Sequence, residues 1–115
     1  QQFQALPSLE FQNLKVGILI NDRSASAAEV FTAALKEHGR AWVIGEKSYG
    51  KGVVQKLFPL SNGAALQMTV SHYYTPSGRM IEGVGIAPNQ VYPMPHELKD
   101  ESYVEHVAEI LINRR

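Results

Sequence analysis

Residues 16–44, VGILINDRSASAAEVFTAALKEHGRAWVI, decide the fold. Val16-Gly17-Ile18-Leu19-Ile20 is a short β-branched apolar run closed by Asn21-Asp22-Arg23, which reads as a buried strand ending in a turn. From Ser26 the period changes. Ala27, Val30, Phe31, Ala34, Leu35 and His38 recur at i, i+3, i+4, i+7, i+8 and i+11, which predicts an amphipathic helix with that stripe facing a core. Gly39 supplies the stop, and Ala41-Trp42-Val43-Ile44 reads as a second buried strand. Strand, helix and strand in about thirty residues make a βαβ crossover, hence a parallel pair.

Downstream the pattern turns antiparallel. Val53 to Leu60 and Ala64 to Tyr74 read as strands joined through Ser61-Asn62-Gly63, an Asn-Gly hairpin turn. Pro76-Ser77-Gly78 marks another turn. Gly83, Gly85, Pro88, Pro93 and Pro95 predict an irregular or edge-like stretch. Val104, Val107, Ala108 and Leu111 predict a last helix with Asp100 as N-cap. No internal repeat or low-complexity segment is present.

At 115 residues and 44% hydrophobic, the chain has the size and composition of one globular domain. Eleven basic and eleven acidic side chains cancel, which gives no electrostatic reason to expect nucleic acid or an anionic membrane. Without cysteine there are no disulfides and no thiolate metal sites, in either a reducing or an oxidising compartment. The apolar runs fall far short of the roughly 20 residues that span a bilayer, and no charged-then-apolar leader opens the chain. The expectation is a soluble protein or one whose targeting segment has been removed. Because the chain opens on Gln1-Gln2 rather than methionine, an upstream portion is also expected.

Ser26-Ala27-Ala28-Glu29 matches the capping box, and a helix-capping serine is the plain reading of Ser26. The same geometry permits chemistry. A serine at a strand-to-helix turn stands beside free backbone N–H groups and the positive end of the helix dipole, where the Ala27 N–H would hold an oxyanion. A serine nucleophile needs a base. Of four histidines, His38 falls about 18 Å along the helix from Ser26. His72 sits in a strand, and His96 and His106 lie in the tail; none has a spacing that argues for a triad. Lysine replaces histidine where burial disfavours its charge. Lys51, between Gly50 and Gly52 with Tyr49, Val53 and Val54 around it, is the best candidate, the plain alternative being a solvated loop lysine. Gly45-Glu46-Lys47-Ser48-Tyr49-Gly50-Lys51 also reproduces G-x-x-x-x-G-K. A phosphate-binding loop requires Ser or Thr next and then a helix, whereas Gly52 and a β-branched run follow.

Four ordered blocks within residues 16–89 resemble the carboxyl-terminal processing (tail-specific) peptidases. They are Asn21 to Glu29, His38 to Ala41, Gly45 to Gln55, and Tyr73-Tyr74-Thr75-Pro76-Ser77-Gly78-Arg79-Met80-Ile81-Glu82-Gly83-Val84-Gly85-Ile86-Ala87-Pro88-Asn89. The resemblance implies Ser26 as nucleophile, Lys51 as general base and Gln55 as the residue that orients the lysine. Since about 3.3 Å per residue would put the Cα atoms of Lys51 and Gln55 roughly 13 Å apart, residues 51–55 are expected to depart from full extension, by a turn or bend near Gly52. The resemblance further implies an α/β protease core of the crotonase/Clp-protease type, with βαβ units and an open mixed sheet. Residues 1–115 would be its C-terminal part. Upstream parts would supply the rest of the oxyanion hole, the pocket for a substrate carboxylate and a PDZ domain, and without them the chain would be poorly active.

No cofactor or metal is implied. The implied partners are protein or peptide C-termini, and the implied location is periplasmic or otherwise extracytoplasmic. Two positions depart from the family: Ala28 replaces a frequent third serine, and Asn89 stands where aspartate is usual, which questions any salt bridge at that turn. The rival expectations are a non-catalytic relative that binds a ligand or partner, and an acyl-CoA enzyme of the crotonase type.

Overall fold

A computed structural model describes Gln4, residues 11–93 and residues 101–113. The elements run β1 (Val16–Ile20), α1 (Ala27–Glu37), β2 (Ala41–Gly45), β3 (Val53–Pro59), β4 (Ala65–His72), β5 (Gln90–Val91) and α2 (Glu101–Ile112). β1 and β2 pair in parallel from Val16–Ala41 to Ile20–Gly45, with α1 as the crossover between them. β3 and β4 form a separate antiparallel hairpin. The α/β reading, the βαβ unit and the Asn-Gly hairpin therefore stand, with the parallel and antiparallel strands in two sheets rather than in one mixed sheet.

The core is small and sits where α1 meets the parallel sheet. Ile20, Ala33, Val43, Ile81 and Ile86 are buried together, with Ile18 and Val30 against them. The helix stripe differs from the predicted one by a rotation: Glu29, Thr32 and Ala33 are its buried residues, whereas Ala27 and His38 are exposed and Phe31 is 59% exposed. The cause is that Glu29 is a buried residue with long-range partners, which no apolar count detects. Small residues at 27, 28, 33 and 34 also leave the phase of the stripe weakly fixed by volume. The helix end follows expectation. Gly39 takes φ +67, its N–H bonds Lys36 O at 3.0 Å, and Arg40 N–H bonds Leu35 O at 2.8 Å, a Schellman ending.

The stretch after Gly78 is irregular except for one strand that no apolar run announced. β5 joins the sheet beside β2, in parallel, through Ile44–Gln90 and Gly45–Val91. Asn89 prepares that pairing: its Oδ1 accepts from Val43 N–H at 2.9 Å and its N–H donates to Val43 O at 2.7 Å. The position requires an acceptor rather than a charge, so asparagine serves in place of aspartate and no salt bridge is involved. α2 packs on β1, where a Cβ at Gly17 would overlap the Leu111 side chain. Asp100, His96 and Pro95 lie outside the described residues, and the N-cap expected at Asp100 with them.

Candidate active site

The site is built at the loop between β1 and α1. Asn21 folds the turn back on itself: its Oδ1 accepts from Arg23 N–H at 3.0 Å, and its N–H donates to Ser24 Oγ at 3.1 Å. Ser26 follows as N-cap with φ 57 and ψ −119, and it is the sole non-glycine residue at positive φ among those described. Such a conformation costs on the order of 1–3 kcal/mol and persists only where the surroundings impose it. Here the Glu29 carboxylate imposes it, accepting from Ser26 N–H at 2.9 Å. The Ser26 hydroxyl makes no capping hydrogen bond, because the Glu29 N–H is taken at 2.9 Å by the Ser26 carbonyl instead. Ala27 is exposed, and its N–H, at the head of the helix, has no acceptor among the described residues.

Lys51 is brought to this corner by a glycine-rich loop threaded under residues 81–86. Tyr49 N–H donates to Ser24 O at 2.9 Å, and Gly83 N–H to Gly50 O at 2.9 Å. Gly50 takes φ +91, and a Cβ there would stand 3.0 Å from Gly85 N. A Cβ at Gly52 would collide with Glu82 N and approach Ile81 Cβ to 2.7 Å. The glycines on either side of Lys51 are thus required by close backbone approach, as their placement suggested. Lys51 itself is exposed in this chain, and Tyr49 is 68% exposed. The apolar surround expected for the lysine is not supplied by its own loop, because that loop packs with its backbone and turns these side chains outward. Asp22, Arg23, Ala25, Tyr49 and Lys51 line an open depression of about 530 Å³.

Gln55 goes elsewhere. The expected turn or bend near Gly52 is not present: Val53, Val54 and Gln55 continue along strand β3, and the register shift opposite Val54 and Gln55 places its extra residue, Val70, on β4. On the exposed hairpin Gln55 Oε1 accepts from Gln67 Nε2 at 2.7 Å, and no hydrogen bond joins it to Lys51 in this structure.

The residue that sequence reasoning placed only as half of a capping box is Glu29. It is 1% exposed, and its carboxylate accepts four hydrogen bonds. Oε1 takes Ser48 Oγ–H and Gly50 N–H, both at 2.6 Å, while Oε2 takes Ser26 N–H at 2.9 Å and Lys51 N–H at 2.8 Å. Ser48 Oγ in turn accepts from Ile86 N–H at 2.6 Å. Four donors to one buried carboxylate satisfy a group that would be costly unpaired.

At the other end of α1, Glu37 ties down the Pro76-Ser77-Gly78 turn. It accepts from Arg79 Nη2 at 2.6 Å and from Ser77 N–H at 2.7 Å. The Arg79 guanidinium, followed by hydrogen bonds from the turn, lowers the Glu37 pKa to about 2. A second cavity, of about 390 Å³, opens at that end between Leu14, Lys36, Arg40, Trp42 and Leu111, but Lys36 and Arg40 are spent on the carbonyls of Ala87 and Phe11. Among the described residues no group of three or more His, Asp or Glu side chains could hold a metal ion, and no helix is long and apolar enough to cross a membrane.

Known proteins share this arrangement of sequence and fold. The model of peptidase family S41 matches residues 2–92. The carboxy-terminal-processing protease of Bartonella bacilliformis is 48% identical over 86 residues, covering 75% of this chain and 20% of that protein. The carboxyl-terminal-processing protease of Picosynechococcus sp. is 45% identical over 76 residues, covering 66% of this chain and 18% of that protein. The solved photosystem II D1 C-terminal processing protease superposes with a TM-score of 0.70 at 32% identity, covering 86% of this chain and 25% of that one. The chain spans about a fifth of the length of the curated relatives it matches. With the family model matched over most of its length, the chain belongs to peptidase family S41, and its α/β fold is part of the crotonase/Clp-protease-like core of the carboxyl-terminal processing peptidases.

Proposed function

We propose that this chain is the C-terminal part of the catalytic core of a serine peptidase that cleaves proteins near their C-termini, with Ser26 as nucleophile and Lys51 as base. The observation that carries this reading is the Ser26 backbone, held at φ 57 at a helix N-terminus by the same carboxylate oxygen that accepts the Lys51 N–H. A serine needed only to cap would use its hydroxyl on the helix; here the hydroxyl is left uncommitted and the Ala27 N–H is unoccupied.

In the reaction, Lys51 Nζ takes the proton of Ser26 Oγ as the oxygen attacks the scissile carbonyl carbon. The oxyanion that forms accepts from the Ala27 N–H and from a donor contributed upstream. Collapse breaks the peptide C–N bond, and the departing amine takes the proton back from Lys51. Water, giving a proton to the same lysine, then attacks the acyl carbon; the bond to Ser26 Oγ breaks, the carboxylic product leaves and Lys51 returns the proton to Ser26 Oγ. No cofactor takes part. The exposure of Lys51 here supports a division of labour in which the upstream part of the core covers the lysine and supplies the carboxylate pocket, and a PDZ domain presents the substrate. Gln55 would orient Lys51 in the complete enzyme after releasing Gln67. A location outside the cytoplasm fits a protease of this type.

The test is labelling with a fluorophosphonate, which reacts only with an activated serine. The full-length polypeptide should label at Ser26 and hydrolyse an unstructured protein, and both should vanish in Ser26→Ala and Lys51→Ala variants. The 115-residue chain alone should lose at least about 10²-fold in rate, the usual cost of one missing oxyanion donor. A full-length protein that folds yet neither labels nor cleaves would reassign the fold to ligand or partner binding.

A further inference from the structure

We propose that Glu29 is the positioning residue of this site, its Oε2 atom setting the separation of Ser26 and Lys51; this rests on the peptidase reading above. Ser26 and Lys51 are 25 positions apart in sequence, on a helix cap and on a glycine loop. No strand pairing connects these two segments directly. The two loops share one direct backbone bond, Tyr49 N–H to Ser24 O at 2.9 Å, but Ser26 and Lys51 themselves are joined through a single oxygen, which receives the main-chain N–H of both residues at 2.9 and 2.8 Å. The other oxygen fixes the loop from behind through Ser48 and Gly50, and Ser48 extends the tie to Ile86 in the core. Glu29 touches no reacting atom. It acts by holding two backbones, and reaction geometry is sensitive at that scale: misplacement by about 1 Å costs on the order of 10² in rate.

The hydrogen-bond pattern makes the isosteric variant diagnostic. In Glu29→Gln one carboxylate oxygen becomes an NH₂ group. If the amide oxygen keeps Ser48 and Gly50, the NH₂ faces two N–H donors, from Ser26 and Lys51. If the amide flips, the NH₂ faces the Gly50 N–H, which loses its acceptor, while the Ser48 hydroxyl can turn to accept from it. Either way a backbone N–H loses its acceptor, although size and shape are unchanged. Glu29→Asp keeps the charge but withdraws it by one methylene, so that it cannot hold all four donors.

The experiment is fluorophosphonate labelling of the full-length protein, read as two separate quantities: the fraction of sites labelled at completion, and the second-order rate per labelled site. A purely structural glutamate changes the first and leaves the second alone. The expected result for Glu29→Gln is a completion level equal to the parent's with a rate about 10²-fold lower. Peptide hydrolysis should lose kcat in the same ratio with KM little changed. Glu29→Asp should show the same split to a smaller extent, and it decides the matter if the glutamine variant does not fold. A rate per labelled site within about threefold of the parent in a folded variant overturns the proposal. So does a loss of labelled sites alone, or the failure of both variants to fold. If the parent itself does not label at Ser26, the peptidase reading fails first and this inference falls with it.

Discussion

Replacing Ser26 by glycine and by alanine separates a strained nucleophile turn from a plain helix cap. At φ 57 and ψ −119 the Ser26 Cβ is held where L-residues are disfavoured, at about 1–3 kcal/mol. The hydroxyl makes no capping bond, so removing it releases no helix contact. Alanine keeps the Cβ and with it the strain. Glycine removes the strain but adds freedom to the unfolded chain worth about 0.4–1 kcal/mol. The difference favours Ser26→Gly over Ser26→Ala by up to about 2.6 kcal/mol, or up to about 1 M in urea midpoint at a slope near the upper end of the ordinary range. The glycine variant should also be at least as stable as the parent, although both variants lack the nucleophile. Urea denaturation of the three proteins, read at a common slope, measures this. An alanine variant equal to or more stable than the glycine variant, with the parent above both, would mean that Ser26 is an unstrained cap and would refute the reasoning.

Gly52→Ala should lower stability by about 1–3 kcal/mol or more in the same assay, since the new Cβ meets the Glu82 backbone and buried Ile81, neither of which can give way. It should also displace Lys51 and abolish labelling of Ser26. Glu37→Gln tests the clamp on the Pro76-Ser77-Gly78 turn. The folded pKa of about 2 lies below the ordinary 4.5, so the ionised form is favoured by folding. The stability it contributes is fully present above pH 4.5 and is lost as pH falls toward 2. The parent should therefore exceed Glu37→Gln in stability at neutral pH and converge with it on acidification. Added salt should narrow the gap, because the Arg79 side chain is 70% exposed. Parallel pH profiles of the two proteins would show that the clamp contributes nothing.

The parts of the fold legible in the sequence are those specified locally. The change from a β-branched run at Val16–Ile20 to helical spacing after Ser26, and back at Ala41, gave the crossover; Asn62-Gly63 gave the hairpin. The parts that were not legible depend on contacts distant in sequence. β5 is two residues long and carries no periodic signal; it exists because Asn89 reaches Val43, 46 positions away. Gln55 could be counted from Lys51 but its surroundings could not, because a one-residue bulge at Val70 on the facing strand changes which neighbours Gln55 meets. The helix stripe was misplaced because one of its most deeply buried residues, Glu29, is an acid, and an acid is buried only where its partners are already in place.

That acid also explains why two readings of the Ser26-Ala27-Ala28-Glu29 segment seemed to compete. A capping box assigns the serine hydroxyl to the helix, whereas catalysis needs it free, so one segment could not serve both. The structure divides the box. Glu29 keeps its half by accepting the Ser26 N–H, and the Ser26 carbonyl takes over the Glu29 N–H from the hydroxyl. The positive φ accompanies this arrangement, in which the Ser26 N–H points at Glu29 and its carbonyl at the first helical turn. The local signal for a helix start and the absence of a hydroxyl cap thus have one cause. The carboxylate that pulls the backbone into that shape is anchored, through Gly50 and Lys51, by the loop that carries the base. Removing the loop's grip on Glu29 should therefore relax Ser26 as well, which makes the nucleophile turn and the base loop one cooperative unit rather than two neighbouring ones.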